Sequence, residues 1–410
     1  MPSISKRGYD MPASPIRKLV PFANAAIERG IKIYHLNIGQ PDIHTPKIAI
    51  DAIKNIDRTV LEYSDSAGIP EFREKLTQYY RHHNINVTKE EVMVTTGGSE
   101  AFIFAFFCCF NPGDEIIIPE PFYANYSSFA NAMGINIKPI TSTFEKEFAL
   151  PPIEKFEKLI TPQTKGIFIC NPNNPTGYLY SEEELNQLKD IVLQNNLFLL
   201  SDEVYREFCY DEGGHFSALN LKGLEENVVL IDSVSKRYSE CGIRIGTLVS
   251  RNKEVMESAL KFAQARLSPP LLGQIAACAS LDVAPEYTEN VYKEYLHRRN
   301  VLVEGLNRIP GVKSAVPKGA FYTMAKLPVK DSEHFCQWIL SDFEYEGQTV
   351  MMAPGSGFYS SRYLGNDEVR IAYVLNVEDL KNALVVIEKA LEVYPGRTVS
   401  SQSSAIGNKQ

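Results

Sequence analysis

Ser233-Val234-Ser235-Lys236-Arg237-Tyr238-Ser239-Glu240-Cys241-Gly242-Ile243-Arg244-Ile245-Gly246 follows directly on Val228-Val229-Leu230-Ile231-Asp232. The five residues ahead are short and apolar, and they read as a buried strand. A lysine just past such a strand stands at its carboxyl end, where open α/β sheets place their ligands. Burial costs a cation heavily, so an amine there needs a purpose. A Schiff base with an aldehyde cofactor supplies one, and Ser233, Ser235 and Arg244 could then hold that cofactor's phosphate. A surface lysine in a loop is the other reading of the same residues.

Working outward, Val92-Met-Val-Thr-Thr reads as a strand running into Gly97-Gly98-Ser99-Glu100 and an apolar helix from Ala101. Strand, small residues and a helix N-terminus together make an anion site, because backbone amides are free and the helix dipole favours a phosphate. Glu115 to Pro119, the run Asn131 to Ile140, and Lys165 to Cys170 are further strand candidates. The last feeds Asn171-Pro-Asn-Asn174-Pro-Thr-Gly177, an irregular loop at a strand's carboxyl end. Leu197 to Ser201 ends in Asp202-Glu203-Val204-Tyr205. An aspartate there either meets a cation or caps the following helix. Ile245 to Ser250 brings the strand candidates between Val92 and Ser250 to seven, mostly separated by helical stretches. That pattern gives a largely parallel sheet with helices on both faces.

These stretches resemble the class I and II aminotransferases, fold-type-I enzymes that use pyridoxal 5'-phosphate. The lysine signature is similar, except that Glu240 stands where an apolar residue is usual. The resemblance implies that Lys236 carries the cofactor as an aldimine and then serves as general base. It implies that Asp202 keeps the ring nitrogen protonated, and that Asn174 and Tyr205 reach the ring oxygen. Tyr123, after Pro121-Phe122, would stack on the ring. Gly98, Ser99, Ser233, Ser235 and Arg244 would hold the phosphate. Tyr63, in a Tyr-x₄-Gly stretch ending at Phe72-Arg73, would reach the phosphate of a second subunit, so the active sites are shared in a homodimer. Gly39, in Gly-Gln-Pro-Asp, and Asn174 would lie near the substrate. Arg370 would fork onto the substrate's α-carboxylate, a geometry lysine cannot copy.

The implied reaction is amino transfer between an L-amino acid and a 2-oxo acid, with glutamate and 2-oxoglutarate as one pair. A second carboxylate needs a reader, for which Arg17, Arg266 and Arg362 are candidates. Some aspartate-specific relatives have a basic residue just after the phosphate loop, where this chain has Glu100. Elimination, decarboxylation and ring-forming relatives keep the same cofactor residues, so the fold alone does not separate them. A non-catalytic regulator is the other alternative, but such proteins carry a DNA-binding domain ahead of the matching part. A Rossmann dehydrogenase fares worse. Gly355-Ser-Gly357-Phe-Tyr-Ser360 lacks the third glycine and the early βαβ position.

Composition agrees. The 410 residues are 44% hydrophobic and 22% charged, as in a soluble globular protein. A net charge of −8 with no Lys/Arg run argues against nucleic acid and anionic membrane as partners. The start, Met1-Pro-Ser-Ile-Ser-Lys-Arg-Gly, has no apolar signal core. Seven cysteines without metal-ligand spacing suit a reducing compartment, and the expected location is cytoplasmic. The expected fold is α/β, with a large domain around a mostly parallel seven-stranded sheet and a small α+β domain built from both chain ends. The expected limits are 1–45 joining the small domain, 46–295 large, 296–395 small, and 396–410 a disordered tail.

Overall fold

The computed structural model describes residues 2–398 and divides into two compact units. The larger holds residues up to Pro12, Gln40–Glu294 and Lys318–Ala320. Its centre is a seven-stranded sheet of β1 (Val92–Thr95), β2 (Glu115–Glu120), β3 (Asn136–Thr141), β4 (Thr164–Cys170), β5 (Phe198–Asp202), β6 (Val228–Ser233) and β7 (Gly246–Val249), in the spatial order β1-β7-β6-β5-β4-β2-β3. Only β7 runs against the others. β1, β6 and β7 are buried along their whole length, as strands covered on both faces must be. The carboxyl ends of the parallel strands therefore share one edge, and Gly97, Asn171, Asp202 and Ser233 all fall there.

The covering helices follow from local chemistry. Helix Glu182–Asn195 starts at a capping box: Ser181 Oγ accepts from Glu184 N at 3.2 Å, and Glu184 Oε2 accepts from Ser181 N at 2.8 Å. Leu185, Leu188, Ile191 and Val192 recur at helical spacing and are buried, while Asn196 closes the helix in the left-handed region. Helix Gly97–Cys109 starts four residues ahead of Ala101, because the Glu100 carboxylate accepts from Thr96 N at 2.8 Å and satisfies the open first turn.

The smaller unit takes Ala13–Gly39, Tyr295–Pro317 and the chain from Phe321 on. Strand Tyr322–Lys326 pairs antiparallel with Glu368–Ala372, placing Met324 opposite Arg370. Ala353–Pro354 and Lys313–Ser314 flank that pair, and Lys32–His35 pairs separately with Gln348–Met351. Helix Val377–Val393 opens on Asn376, whose Oδ1 accepts from Asp379 N at 2.9 Å.

The expected domain limits need correction, among them that of Tyr295, which falls in the smaller unit. Residues up to Pro12 join the larger unit, where Asn131 Nδ2 donates to Asp10 O at 2.8 Å. Residues 40–45 also belong there. So do Lys318–Ala320, because Tyr210 N donates to Lys318 O and Ala320 N to Phe208 O, both at 2.8 Å. Of the expected disordered tail, residues 396–398 are ordered: Thr398 N donates to Pro328 O at 2.8 Å, and Arg397 bridges Val329. Residues 399–410 lie outside the described residues. No helix among the described residues is long and apolar enough to cross a membrane.

Candidate active site

Register at the sheet edge brings the glycine turn and the lysine stretch together. In β7, Gly246 sits opposite both Thr95 and Ser233. A Cβ on Gly246 would lie 2.4 Å from the Gly97 carbonyl carbon and 2.6 Å from Gly98 N, so no larger residue fits. Gly97 has φ +69°, and a Cβ there would lie 2.4 Å from Arg244 Nη2. A Cβ on Gly98 would lie 3.7 Å from Ile231 Cγ2 and 4.0 Å from Asp232 O, at the end of β6. Arg244 is exposed, and its Nη1 donates to Cys241 O at 2.9 Å. An exposed guanidinium over a helix N-terminus of thirteen residues, with Ser99 in its first turn, is a grip for a phosphate.

The two serines divide their work. Ser233 Oγ donates to Ile245 O at 2.8 Å and accepts from Ser235 N at 3.1 Å, so it caps the short helix Val234–Arg237. Ser235 Oγ lies 2.9 Å from Ser233 Oγ. Lys236 sits half-buried on that helix, its Nζ 3.9 Å from Cys241 Sγ. Cys241 in turn donates to Ser235 O at 3.2 Å. Glu240, the departure from the signature, is buried and accepts the Ser280 hydroxyl, while its Oε2 has no hydrogen-bond partner.

Asp202 ends β5, opposite Cys170 of β4 and Ile231 of β6. A turn follows it, not a helix, so it caps none. Its Oδ2 accepts Tyr126 Oη at 2.7 Å, and its Oδ1 accepts Val204 N at 3.3 Å. Burial pushes the carboxyl up to about 6, against the Tyr126 bond, the Val204 amide and the Lys236 charge. A buried carboxylate in that state is suited to a cationic ring nitrogen. Tyr126 was not visible to sequence reasoning. It lies 76 residues from Asp202 and reads as one more aromatic in a helix.

Tyr205 is buried in the same turn. Asn174 is buried in a loop that Asn173 organises, its Oδ1 accepting from Thr176 Oγ1 at 2.9 Å and Thr176 N at 3.2 Å. Tyr123 is half-buried, its ring set edge-on to Tyr126 with centroids 5.5 Å apart. Tyr63 is different. It is 76% exposed, next to exposed Val60 and Leu61.

In the smaller unit, a Cβ on Gly39 would lie 1.7 Å from Tyr322 Oη, so only glycine fits. Arg370 is buried, donates from Nη2 to Asn37 O at 2.5 Å, and packs its guanidinium 4.5 Å from the Tyr322 ring and 4.8 Å from that of Phe358. Of the arginines offered for a second carboxylate, Arg266 in the larger unit pairs with Glu100 at 3.2 Å. Arg17 and Arg362 are exposed in the smaller unit.

The chain is similar to known proteins over most of its length. The family model for aminotransferase class I and II matches residues 31–387. The chain is 34% identical to an aspartate aminotransferase of Pyrococcus horikoshii over 366 residues, 88% of this chain and 91% of that protein. The crystal structure of an aspartate aminotransferase from Thermotoga maritima matches with a TM-score of 0.87 at 30% identity, covering 95% of this chain and 100% of the other. An alanine aminotransferase from Pyrococcus furiosus matches with a TM-score of 0.86 at 31% identity, covering 94% and 99%.

Proposed function

The chain belongs to the class I and II aminotransferases, pyridoxal-phosphate-dependent transaminases, and on that premise we propose that it moves an amino group between an L-amino acid and a 2-oxo acid, with glutamate and 2-oxoglutarate as one pair. The observation that supports this reading best is the single sheet edge shared by Lys236, the buried Asp202 carboxyl, and Arg244 over Gly97. An amine, an acid and an anion grip are the three protein groups the cofactor requires.

Pyridoxal phosphate supplies an aldehyde that condenses with amines and a ring that accepts electron density from the substrate's α-carbon. In this reading Gly98, Ser99, Ser233, Ser235 and Arg244 bind its phosphate, and Tyr123 lies against its ring. Asn174 and Tyr205 donate toward the ring oxygen. Asp202 holds a proton at the ring nitrogen, which its burial and raised proton affinity suit. Lys236 Nζ would take the proton from the substrate's α-carbon as general base and give one back as general acid. Arg370 orients the α-carboxylate through its two-pronged guanidinium, with Gly39 leaving room for the backbone. Exposed Val60, Leu61 and Tyr63 support a homodimer in which Tyr63 serves the partner's cofactor. Seven unpaired thiols suit the reducing cytoplasm.

Relatives named for aspartate and for alanine leave the donor to experiment. Each L-amino acid should be mixed singly with the yellow enzyme and the loss of its visible band followed. Glutamate should bleach it, and 2-oxoglutarate should restore it. If no amino acid bleaches the band while some release pyruvate or carbon dioxide, elimination or decarboxylation replaces the transfer reading. A protein that binds cofactor but consumes nothing would be a regulator.

A further inference from the structure

Beneath the sheet edge lies a buried ionic cluster that the roles above do not use. Its hub is Asp232, 1% exposed at the penultimate position of β6. One carboxylate oxygen, Oδ2, accepts from Arg206 Nη1 at 3.1 Å and from Tyr80 Oη at 3.0 Å. The other, Oδ1, accepts from Arg237 Nη2 and from Ser233 N, the latter at 2.7 Å. Arg206 follows Tyr205 in the turn that carries Asp202, and Arg237 follows Lys236. The β5–β6 ladder ends at the pair Asp202–Ile231. One further backbone bond, Glu203 N to Ile231 O at 2.9 Å, follows it, and beyond that Asp232 reaches across with one oxygen to each turn.

Outer partners hold both guanidiniums in place. Arg206 Nη2 donates to Glu203 Oε2 at 3.0 Å, and Glu203 Oε1 accepts from Ala218 N at 2.9 Å. Arg237 lies 3.6 Å from Glu207 and 4.1 Å from the Tyr79 ring centroid. His83 and His215 face Glu207 and Glu203 at 3.7 and 3.6 Å, and burial lowers the proton affinity of both rings. Stability is a poor reason for such a cluster, since well-packed apolar residues often do as well as buried ion pairs. Fixed geometry is a better one.

We propose that Asp232 is a positioning residue for amino transfer, which through Arg206 and Arg237 fixes the turn bearing Asp202 and Tyr205 against the turn bearing Lys236. The kinetic side of this rests on the transaminase reading. The electrostatic side does not, because the Asp232 charge also acts on Asp202, alongside Tyr126, Cys170 and Lys236. Removing Arg237 leaves that charge less compensated, so Asp202 should keep its proton to higher pH. Neutralising Asp232 should release it at lower pH. Opposed shifts would show the two turns within electrostatic reach of each other, and the split between kcat and KM carries the positioning role.

The test uses the cofactor-free protein labelled with carboxyl-¹³C aspartate, the Asp202 signal being identified by its loss in Asp202→Asn. In Arg237→Met the Asp202 midpoint should rise by about half a pH unit, and in Asp232→Asn it should fall by a similar amount. In the loaded enzyme Arg237→Met should lose about tenfold or more in kcat with KM changed less than about threefold. Arg237→Lys, which keeps charge but not the fork, should restore the midpoint and only part of kcat. Should Asp232→Asn fail to fold, the two Arg237 variants carry both arms. The proposal is overturned if Arg237→Met keeps kcat within about twofold, or leaves the Asp202 midpoint in place, whatever its melting temperature. A wild-type protein without transaminase activity would sink the functional reading and leave the titration arm standing.

Discussion

Glu240→Gln should make the protein more resistant to unfolding at alkaline pH than at acid pH, relative to wild type. The side chain is 2% exposed, accepts one hydrogen bond from Ser280, and leaves Oε2 buried without a partner. Burial pushes its carboxyl up to about 7 from an ordinary 4.5, against the Ser280 bond and the Arg237 charge. The folded state therefore holds this proton more tightly than the unfolded chain. The penalty is absent well below 4.5 and fully felt above about 7. At about 1.4 kcal/mol per pH unit the gap caps it near 3 kcal/mol, of which about 2 kcal/mol develops between roughly pH 5 and 8. Glutamine keeps an oxygen for Ser280 and never ionises. Its own unpartnered amide costs the same at every pH, so the slope and not the level carries the prediction. Urea unfolding of both proteins at four pH values measures it. A difference that stays flat across the range would refute the buried-acid account of Glu240.

Borohydride treatment of the yellow protein should fix the cofactor to Lys236, and label mapped to another lysine would remove the central assignment. Asp202→Asn keeps the shape of the side chain but not its charge, so single-turnover proton abstraction should slow by orders of magnitude while cofactor affinity falls far less. An unchanged single-turnover rate would reduce Asp202 to a partner of Tyr126 and Val204. In a mixed dimer of Lys236→Ala and Tyr63→Phe chains, the site with intact Lys236 should hold cofactor as tightly as wild type if Tyr63 acts across the interface. Faster release from that site, by about 1–3 kcal/mol of lost phosphate contact, would place Tyr63 in its own chain's site.

Residues whose role is set by local sequence were legible. Most of the seven strands announced themselves as short apolar runs; β3, with Asn136, Lys138 and Thr141, did not, and the expected run from Asn131 begins in a helix that ends at Met133. The glycine turn after Thr96 sits where a Cβ would collide with its neighbours. The signal failed where a partner lies far along the chain. Tyr126 stands on the helix after β2 and meets Asp202 across β4, which lies between β2 and β5, and nothing around Tyr126 marks it as polar in purpose. Arg206, Asp232 and Arg237 carry no mark of their pairing in one dimension, since charge pairing across strands leaves no period. Arg266 pairs with Glu100, a partner far along the chain that spacing does not show. The N-terminal residues up to Pro12 join the larger unit by a single-turn helix with no buried residue, too slight a pattern to read.

The reversed direction of β7 has a consequence for how this site can vary. Because Ser233 and Gly246 face each other across a ladder, residues 234–245 form a closed hairpin pinned at both ends. The amine of Lys236 and the guanidinium of Arg244 are thus two points on one short loop, and their separation is a matter of chain length rather than of docking distant parts. An insertion or deletion inside 234–245 changes that separation directly. Substitutions there, such as the arginine at 237 and the acid at 240, leave it alone. Length is therefore a constrained quantity in this segment, alongside the residues that carry its chemistry.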